Sequence, residues 1–146
     1  MATATHRIDP RPSRDAAAAL LELAGLPSSD LTDAHMEHFF YCGPATQPGG
    51  VVGIEVCGEA ALLRSLVVAG EHRSTGMGAA LTQRAEQYAR ELGARSLYLL
   101  TTTAEDFFAR RGYVSAERAS APVAIQNTRE FAGLCPASSA FMVKHL

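Results

Sequence analysis

Leu62-Leu63-Arg64-Ser65-Leu66-Val67-Val68, followed by Ala69-Gly70-Glu71-His72-Arg73-Ser74-Thr75-Gly76-Met77-Gly78, is the stretch whose reading decides the fold. From Ala61 to Val68 the chain is almost continuously aliphatic, as expected of a central strand buried on both faces, with only Arg64 and Ser65 interrupting it. From Gly76 onward the period changes. Met77, Ala80, Leu81, Ala85, Tyr88 and Leu92 recur at spacings of three and four, which predicts a helix from Gly76 to Leu92 stopped by Gly93. A strand, a glycine-bearing loop and a long helix therefore follow one another directly.

That order gives the loop a chemical meaning. A pyrophosphate needs several donors converging without side chains in the way, and a helix N-terminus offers unsatisfied N–H groups with a favourable dipole. Gly76 and Gly78 let the backbone approach closely, while Arg73 adds positive charge at the entrance, helped by His72. A dinucleotide-binding site would need another glycine spacing and an acidic residue after the next strand, where Thr101-Thr102-Thr103 stands. The lysine of a nucleotide-triphosphate loop is also missing.

Upstream of this unit, Ala4 to Ile8 reads as a first strand ended by Asp9-Pro10-Arg11-Pro12. Ser13 caps an alanine- and leucine-rich helix from Arg14 to Ala24, stopped by Gly25. A short helix starts near Thr32 or Asp33 and runs through Met36 towards Phe39. Phe39 to Cys42 and Val51 to Cys57 read as a hairpin around the glycines and prolines of residues 43–50, and Gly58-Glu59 turns the chain into the central strand. Downstream, Ser96 to Leu100 is a buried strand, and Thr103-x-x-Asp106 reads as a capping box for a helix ended by Gly112. Tyr113 to Glu117 reads as strand, Pro122 to Gly133 as helix, and Ala140 to Lys144 as a closing strand. The fold class is α+β: a mixed central sheet of about six to seven strands with flanking helices.

A chain of 146 residues reads as one domain, residues 1–146, able to bury a core unaided. With 19% charged residues and a net charge of −2, it carries no electrostatic footprint for nucleic acid, and no apolar run long enough for a membrane span is present. Three widely spaced cysteines, Cys42, Cys57 and Cys135, form neither a disulfide framework nor a paired zinc motif. These features predict a cytoplasmic protein without a metal.

Leu66 to Gly78 resembles the acetyl-CoA-binding motif of the GNAT superfamily of N-acetyltransferases, and Phe107-Phe108-Ala109-Arg110-Arg111-Gly112-Tyr113 resembles the family's second motif. A narrower likeness joins Leu97 to Phe108, Phe131 to Ser139 and Leu23 to Pro27 to the GNAT proteins of bacterial arsenic-resistance operons. The resemblance implies a GNAT-like sheet, acetyl-CoA as co-substrate and a small-molecule amine as acceptor, with an amino-acid-like organoarsenical such as arsinothricin as candidate. It also implies that two strands splay apart, that the pantetheine arm lies in the gap, and that the backbone of Leu66, Val67 and Val68 pairs with it. Arg73, Ser74, Thr75, Gly76, Met77 and Gly78 would hold the phosphates, with Thr101 and Phe108 also beside the cofactor and a Val67 or Val68 N–H as oxyanion donor.

Two departures from the family pattern concern the chemistry. Phe108 stands where relatives carry the proton-donating tyrosine, and Leu63 marks the region where a carboxylate base is common. Tyr113 is the substitute acid and Glu55 the substitute base, ahead of Glu59 and Glu105; each has a bland alternative as strand packing or a solvent-facing glutamate. Arg64, within an aliphatic strand, needs a partner: either a substrate carboxylate or arsinate, or Glu55. Phe39 is counted with Arg64 on the substrate side. His35 and His38 with Cys42 and Cys57 could complete a soft metal or arsenic site, but a tetrahedral structural site shows tighter cysteine spacing, so surface histidines and a core cysteine are the preferred reading, and Cys135-Pro136 near Ser138-Ser139 lacks a histidine partner for nucleophilic work. The missing acid and base keep open a non-catalytic module that binds acetyl-CoA or senses arsenic. The closing strand offers an edge for a homodimer.

Overall fold

The computed structural model describes residues 6–136 and 138–146. Its strands are β1 (Ile8–Pro10), β2 (Phe39–Cys42), β3 (Gly50–Cys57), β4 (Ala60–Val68), β5 (Ser96–Thr101), β6 (Val114–Ser115) and β7 (Ala140–His145). They form one seven-stranded sheet in the order β1-β2-β3-β4-β5-β7-β6. The sheet is mixed, because β4 and β5 run parallel while β1–β2, β2–β3, β5–β7 and β6–β7 pair antiparallel. Five helices accompany it among the described residues: α1 (Arg14–Leu23), α2 (Asp33–Met36), α3 (Met77–Glu91), α4 (Glu105–Ala109) and α5 (Val123–Gln126). The expected α+β class is therefore the one observed.

The chain forms two compact units that interleave in sequence. The first comprises the chain up to Ile54 together with Ser65–Gln87, and the second comprises Glu55–Arg64 together with Tyr88–Leu146. In the first, the apolar face of α1 (Ala17, Leu20, Leu21) shares a buried cluster with Leu31, Met36, Phe39, Val51 and Val67. Ser13 caps α1 by accepting from the Ala16 N–H at 3.0 Å. In the second, Ala60, Leu62, Ala121, Ile125 and Phe141 form the core. Phe141 stacks on Tyr98 and meets Phe131 edge-on, both at 5.3 Å between centroids.

Four sequence expectations are corrected. The first strand lies at Ile8–Pro10 rather than ending at Ile8; Pro10 is tolerated because β1 is an edge of the sheet, and residues 4–5 of the expected strand lie outside the described residues. The capping box at Thr103 does not form. Thr101 accepts the Ala104 N–H at 3.0 Å, so α4 starts at Glu105 behind Ala104, which has no side chain able to cap. The strand expected from Tyr113 to Glu117 covers only Val114–Ser115, because Arg118–Ser120 already winds as a 3-10 turn. The helix expected from Pro122 to Gly133 is broken. The Thr128 hydroxyl donates to the Ile125 carbonyl at 2.7 Å and accepts the Phe131 N–H at 3.3 Å, between the end of α5 at Gln126 and a separate wide turn at Glu130–Leu134.

Candidate functional site

The Arg73–Gly78 segment lies in the first unit. After a 3-10 turn at Gly70–His72, Arg73 is extended, Ser74 takes φ 66° and Gly76 takes φ 88°. The left-handed value is natural for glycine and costly for serine, so the loop holds a conformation that its surroundings must impose. Some of those surroundings are visible. The Thr75 hydroxyl donates to the His72 carbonyl at 2.6 Å, and the Thr75 carbonyl lies 2.8 Å from His6 Nε2. The start of α3 is held from the other side by Met77, which is buried against Gly50, where an added Cβ would stand 2.9 Å from the Met77 sulfur and 2.8 Å from Leu81 Cδ1.

What remains exposed is Arg73, Ser74, Thr75 and Gly76. These residues lead into the N-terminus of α3, whose first N–H groups have no acceptor within the helix and whose first turn carries no acidic residue. The set fits an anionic phosphate group. Before it, Ser65 takes φ 60° inside β4, so the strand's regular pleat is broken between Arg64 and Leu66. Beyond that break Val67 is buried, whereas Leu66 and Val68 are half-buried. Sequence reading noted Ser65 as an interruption without foreseeing a left-handed residue, and it did not foresee His6 at the loop.

The second unit holds Glu55, Arg64, Thr101, Phe108 and Tyr113. Arg64, with 1% of its side chain exposed, lies between two carboxylates: Nη1 is 3.1 Å from Glu55 Oε2 and Nη2 is 2.8 Å from Glu130 Oε1. Of the alternatives left open for Arg64, the ion pair with Glu55 is present. Glu130 is 7% exposed and Glu55 is 19% exposed, so Glu55 is the one with an opening to its surroundings. Cys135 donates its S–H to Glu130 Oε2 at 2.6 Å. Burial, that hydrogen bond and the Glu130 charge push the Cys135 thiol up to about 12, which makes it a neutral donor rather than a nucleophile. Sequence reading missed Glu130; a glutamate in a predicted amphipathic helix gives no sign of burial.

Around the second motif, Phe108 is buried and meets Phe107 edge-on at 5.0 Å and Tyr113 edge-on at 5.4 Å. Tyr113 is 1% exposed, with the Lys144 ammonium 5.7 Å from its ring centroid. Thr101 is half-buried and its hydroxyl oxygen holds the turn into α4. Leu63 is buried opposite Leu99. Glu59 and Glu105 are exposed. Phe39, with no exposed surface, packs on Gly53 in the first unit.

The soft-metal constellation is not assembled. His35 Nδ1 accepts the Thr32 N–H at 3.0 Å within the cap of α2, and Cys42 is buried with its thiol pushed up by desolvation. No group of three His, Cys, Asp or Glu residues able to hold a metal occurs among the described residues. Nor is any described helix long and apolar enough to cross a membrane.

The comparisons with known proteins bear on this geometry. The family model described as acetyltransferase (GNAT) family matches residues 9–113. An amino-acid acetyltransferase from Serratia proteamaculans (strain 568) is 42% identical over 53 residues, 36% of this chain and 12% of that protein. N-acetylglutamate synthase from Neisseria gonorrhoeae, solved with coenzyme A and N-acetyl-glutamate, superposes with a TM-score of 0.81 at 23% identity, over 98% of this chain and 35% of that one. A Mycobacterium tuberculosis protein solved in complex with CoA superposes with a TM-score of 0.73 at 19% identity, over 96% of this chain and 99% of that one. The chain thus spans only 12% of the curated relative's length and 35% of the synthase's. The two superpositions agree on the fold, the family model covers most of the chain including the loop before α3, and the chain belongs to the acetyltransferase (GNAT) family.

Proposed function

We propose that the chain is an acetyl-CoA-dependent N-acetyltransferase acting on a small, amino-acid-like amine. The observation that carries this reading is the exposed turn with left-handed Ser74 and Gly76 at the acid-free N-terminus of α3. In this reading the N–H groups from Ser74 to Gly78, with the Arg73 guanidinium, hold the phosphates of the co-substrate. The backbone of Leu66, Val67 and Val68 pairs with the pantetheine arm, Thr101 and Phe108 border it, and an N–H of Val67 or Val68 faces the thioester oxygen.

Glu55 is the base of this reading. Arg64 orients its carboxylate, and its partial exposure leaves it open to an incoming ammonium or to a bridging water. The ammonium gives one proton to Glu55, the neutral amine nitrogen bonds to the acetyl carbon, the C–S bond breaks as the leaving thiolate takes a proton from Tyr113, and the second nitrogen proton, lost on amide formation, returns to Tyr113 through solvent. Both the amino-acid acetyltransferase and the N-acetylglutamate synthase support an acceptor of amino-acid type. An arsenic-resistance role would make that acceptor an amino-acid-like organoarsenical, the reading drawn from the likeness at Leu97–Phe108 and Phe131–Ser139.

The test is to follow free thiol released from acetyl-CoA over a panel of amino acids and arsinothricin. Release that depends on one class of acceptor supports transfer and names the acceptor. Saturable acetyl-CoA binding with no release on any amine would replace it with the non-catalytic binding or arsenic-sensing module that Phe108 and Leu63 keep open.

A further inference from the structure

We propose that Glu130 is a positioning residue for the transfer, acting through Arg64 to fix the Glu55 carboxylate and to set how readily it takes a proton. The inference rests on the reading of Glu55 as base. One guanidinium serves two carboxylates, with contacts of 3.1 Å to Glu55 and 2.8 Å to Glu130. Arg64 is therefore shared, and the shorter contact goes to the more deeply buried Glu130. A cation held between two anions stabilises each ionised form less than it would stabilise one alone, and the second anion itself opposes ionisation of the first. Glu130 thus competes with Glu55 for the one guanidinium and sets how firmly the Glu55 carboxylate is held.

The charged and titratable groups around the cluster come from several segments: Glu55 at the end of β3, Arg64 in β4, Glu130 and Cys135 in and after the wide turn, and Arg118 in the 3-10 turn. Arg118 is fixed by donation to the Ser139 carbonyl at 2.9 Å and acts on the Cys135 thiol with a sign opposite to that of Glu130. The Cys57 S–H points to the Glu55 carbonyl at 3.8 Å, on the same strand. Cys135 holds the second oxygen of Glu130 at 2.6 Å and so takes part of the anionic charge that would otherwise lean on Arg64. The Glu130–Leu134 turn is then more than a connection to β7, because it delivers the counter-anion.

Opposite pH shifts follow for two substitutions. Glu130→Gln removes the competing anion, strengthens the Arg64–Glu55 pair and lowers the proton affinity of Glu55. The acidic limb of kcat/KM moves to lower pH by about one unit, and the plateau falls by roughly tenfold as the base weakens. Cys135→Ala leaves every formal charge in place but returns Glu130 more fully to Arg64, so the limb moves to higher pH by less than about one unit. Glu130→Asp, which keeps the anion, brings the limb back towards its original position. The KM for acetyl-CoA stays unchanged in all three. Circular dichroism and unfolding midpoints establish that each variant is folded before its profile is read. Limbs that overlay the unsubstituted enzyme in both Glu130→Gln and Cys135→Ala overturn the proposal and leave Glu130 a purely structural counter-ion. Glu55→Gln separates this from the parent reading: full activity in that variant removes Glu55 as base, whereas its loss with unmoved limbs in the other two removes only Glu130.

Discussion

The Arg73–Gly78 loop and the Glu55–Arg64–Glu130 cluster are built on opposite plans. The loop is contiguous, largely exposed and made of backbone, with its specificity in two left-handed residues at a helix start. The cluster is assembled from side chains on β3, β4 and the turn before β7, and its arginine is almost wholly buried. A backbone site tolerates most side-chain changes and fails when its dihedral angles are altered. A buried charge cluster is indifferent to backbone detail and fails when one charge is removed.

The largest effect that could break this contrast is expected at Arg64. Arg64→Met leaves two carboxylates without their counter-ion in a low-dielectric setting, and breaking such a pair typically costs about 3–5 kcal/mol, read as a lowered urea midpoint. A midpoint within about 0.5 kcal/mol of the unsubstituted protein would show that the cluster is not the buried ionic unit described.

At Arg73 the effect falls on binding. Arg73→Ala weakens acetyl-CoA binding by roughly tenfold and flattens its dependence on salt, while the urea midpoint stays put, because Arg73 is exposed. Titration calorimetry at two ionic strengths checks both. Unchanged affinity and unchanged salt dependence would detach Arg73 from the phosphates.

Cys135 provides a pH signature. Its thiol is raised from 9.0 to about 12 in the folded chain, so the unfolded chain loses that proton first as pH rises. Stability owed to the protonated thiol is complete below about pH 9 and is lost as pH climbs towards about 12. Unfolding midpoints of the protein and of Cys135→Ala should therefore converge over that interval. Parallel curves would place the thiol outside the cluster's influence.

The smallest effect is at Ser74. Ser74→Gly removes a left-handed strain but adds freedom to the unfolded chain, so the two terms nearly cancel and stability changes by about 0.5 kcal/mol or less. Acetyl-CoA affinity is retained. A large loss of affinity would mean that the serine hydroxyl, not the backbone, makes the contact.

The same contrast explains what could be read from the sequence. The loop, the strand before it and α3 follow from local rules: an aliphatic run, glycines, then apolar residues at spacings of three and four. Half of the cluster was legible, since an arginine in an aliphatic strand demands a partner and Glu55 stands on the neighbouring strand. Glu130 was not, because its burial depends on the Thr128 hydroxyl breaking a helix that periodicity joins from Pro122 to Gly133. Thr101 in place of Thr103 as the capturing side chain is the same kind of event, a competition between hydroxyls that spacing alone leaves undecided. Ser65, left-handed within β4, shows how an interruption in an aliphatic run can mark a change of backbone direction rather than a tolerated polar residue.

The central claim is that the backbone of the turn before α3 binds the co-substrate, and Gly76→Val tests it most directly. Gly76 takes φ 88°, and an added Cβ would meet nothing closer than His6 Nε2 at 3.9 Å, so the substitution acts through the dihedral angle rather than through a clash. Acetyl-CoA titrated into the folded variant and the unsubstituted protein should show an affinity at least about tenfold weaker in the variant, on the scale of the strain a β-branched residue meets at positive φ. Equal affinity in the two would contradict the assignment of the loop.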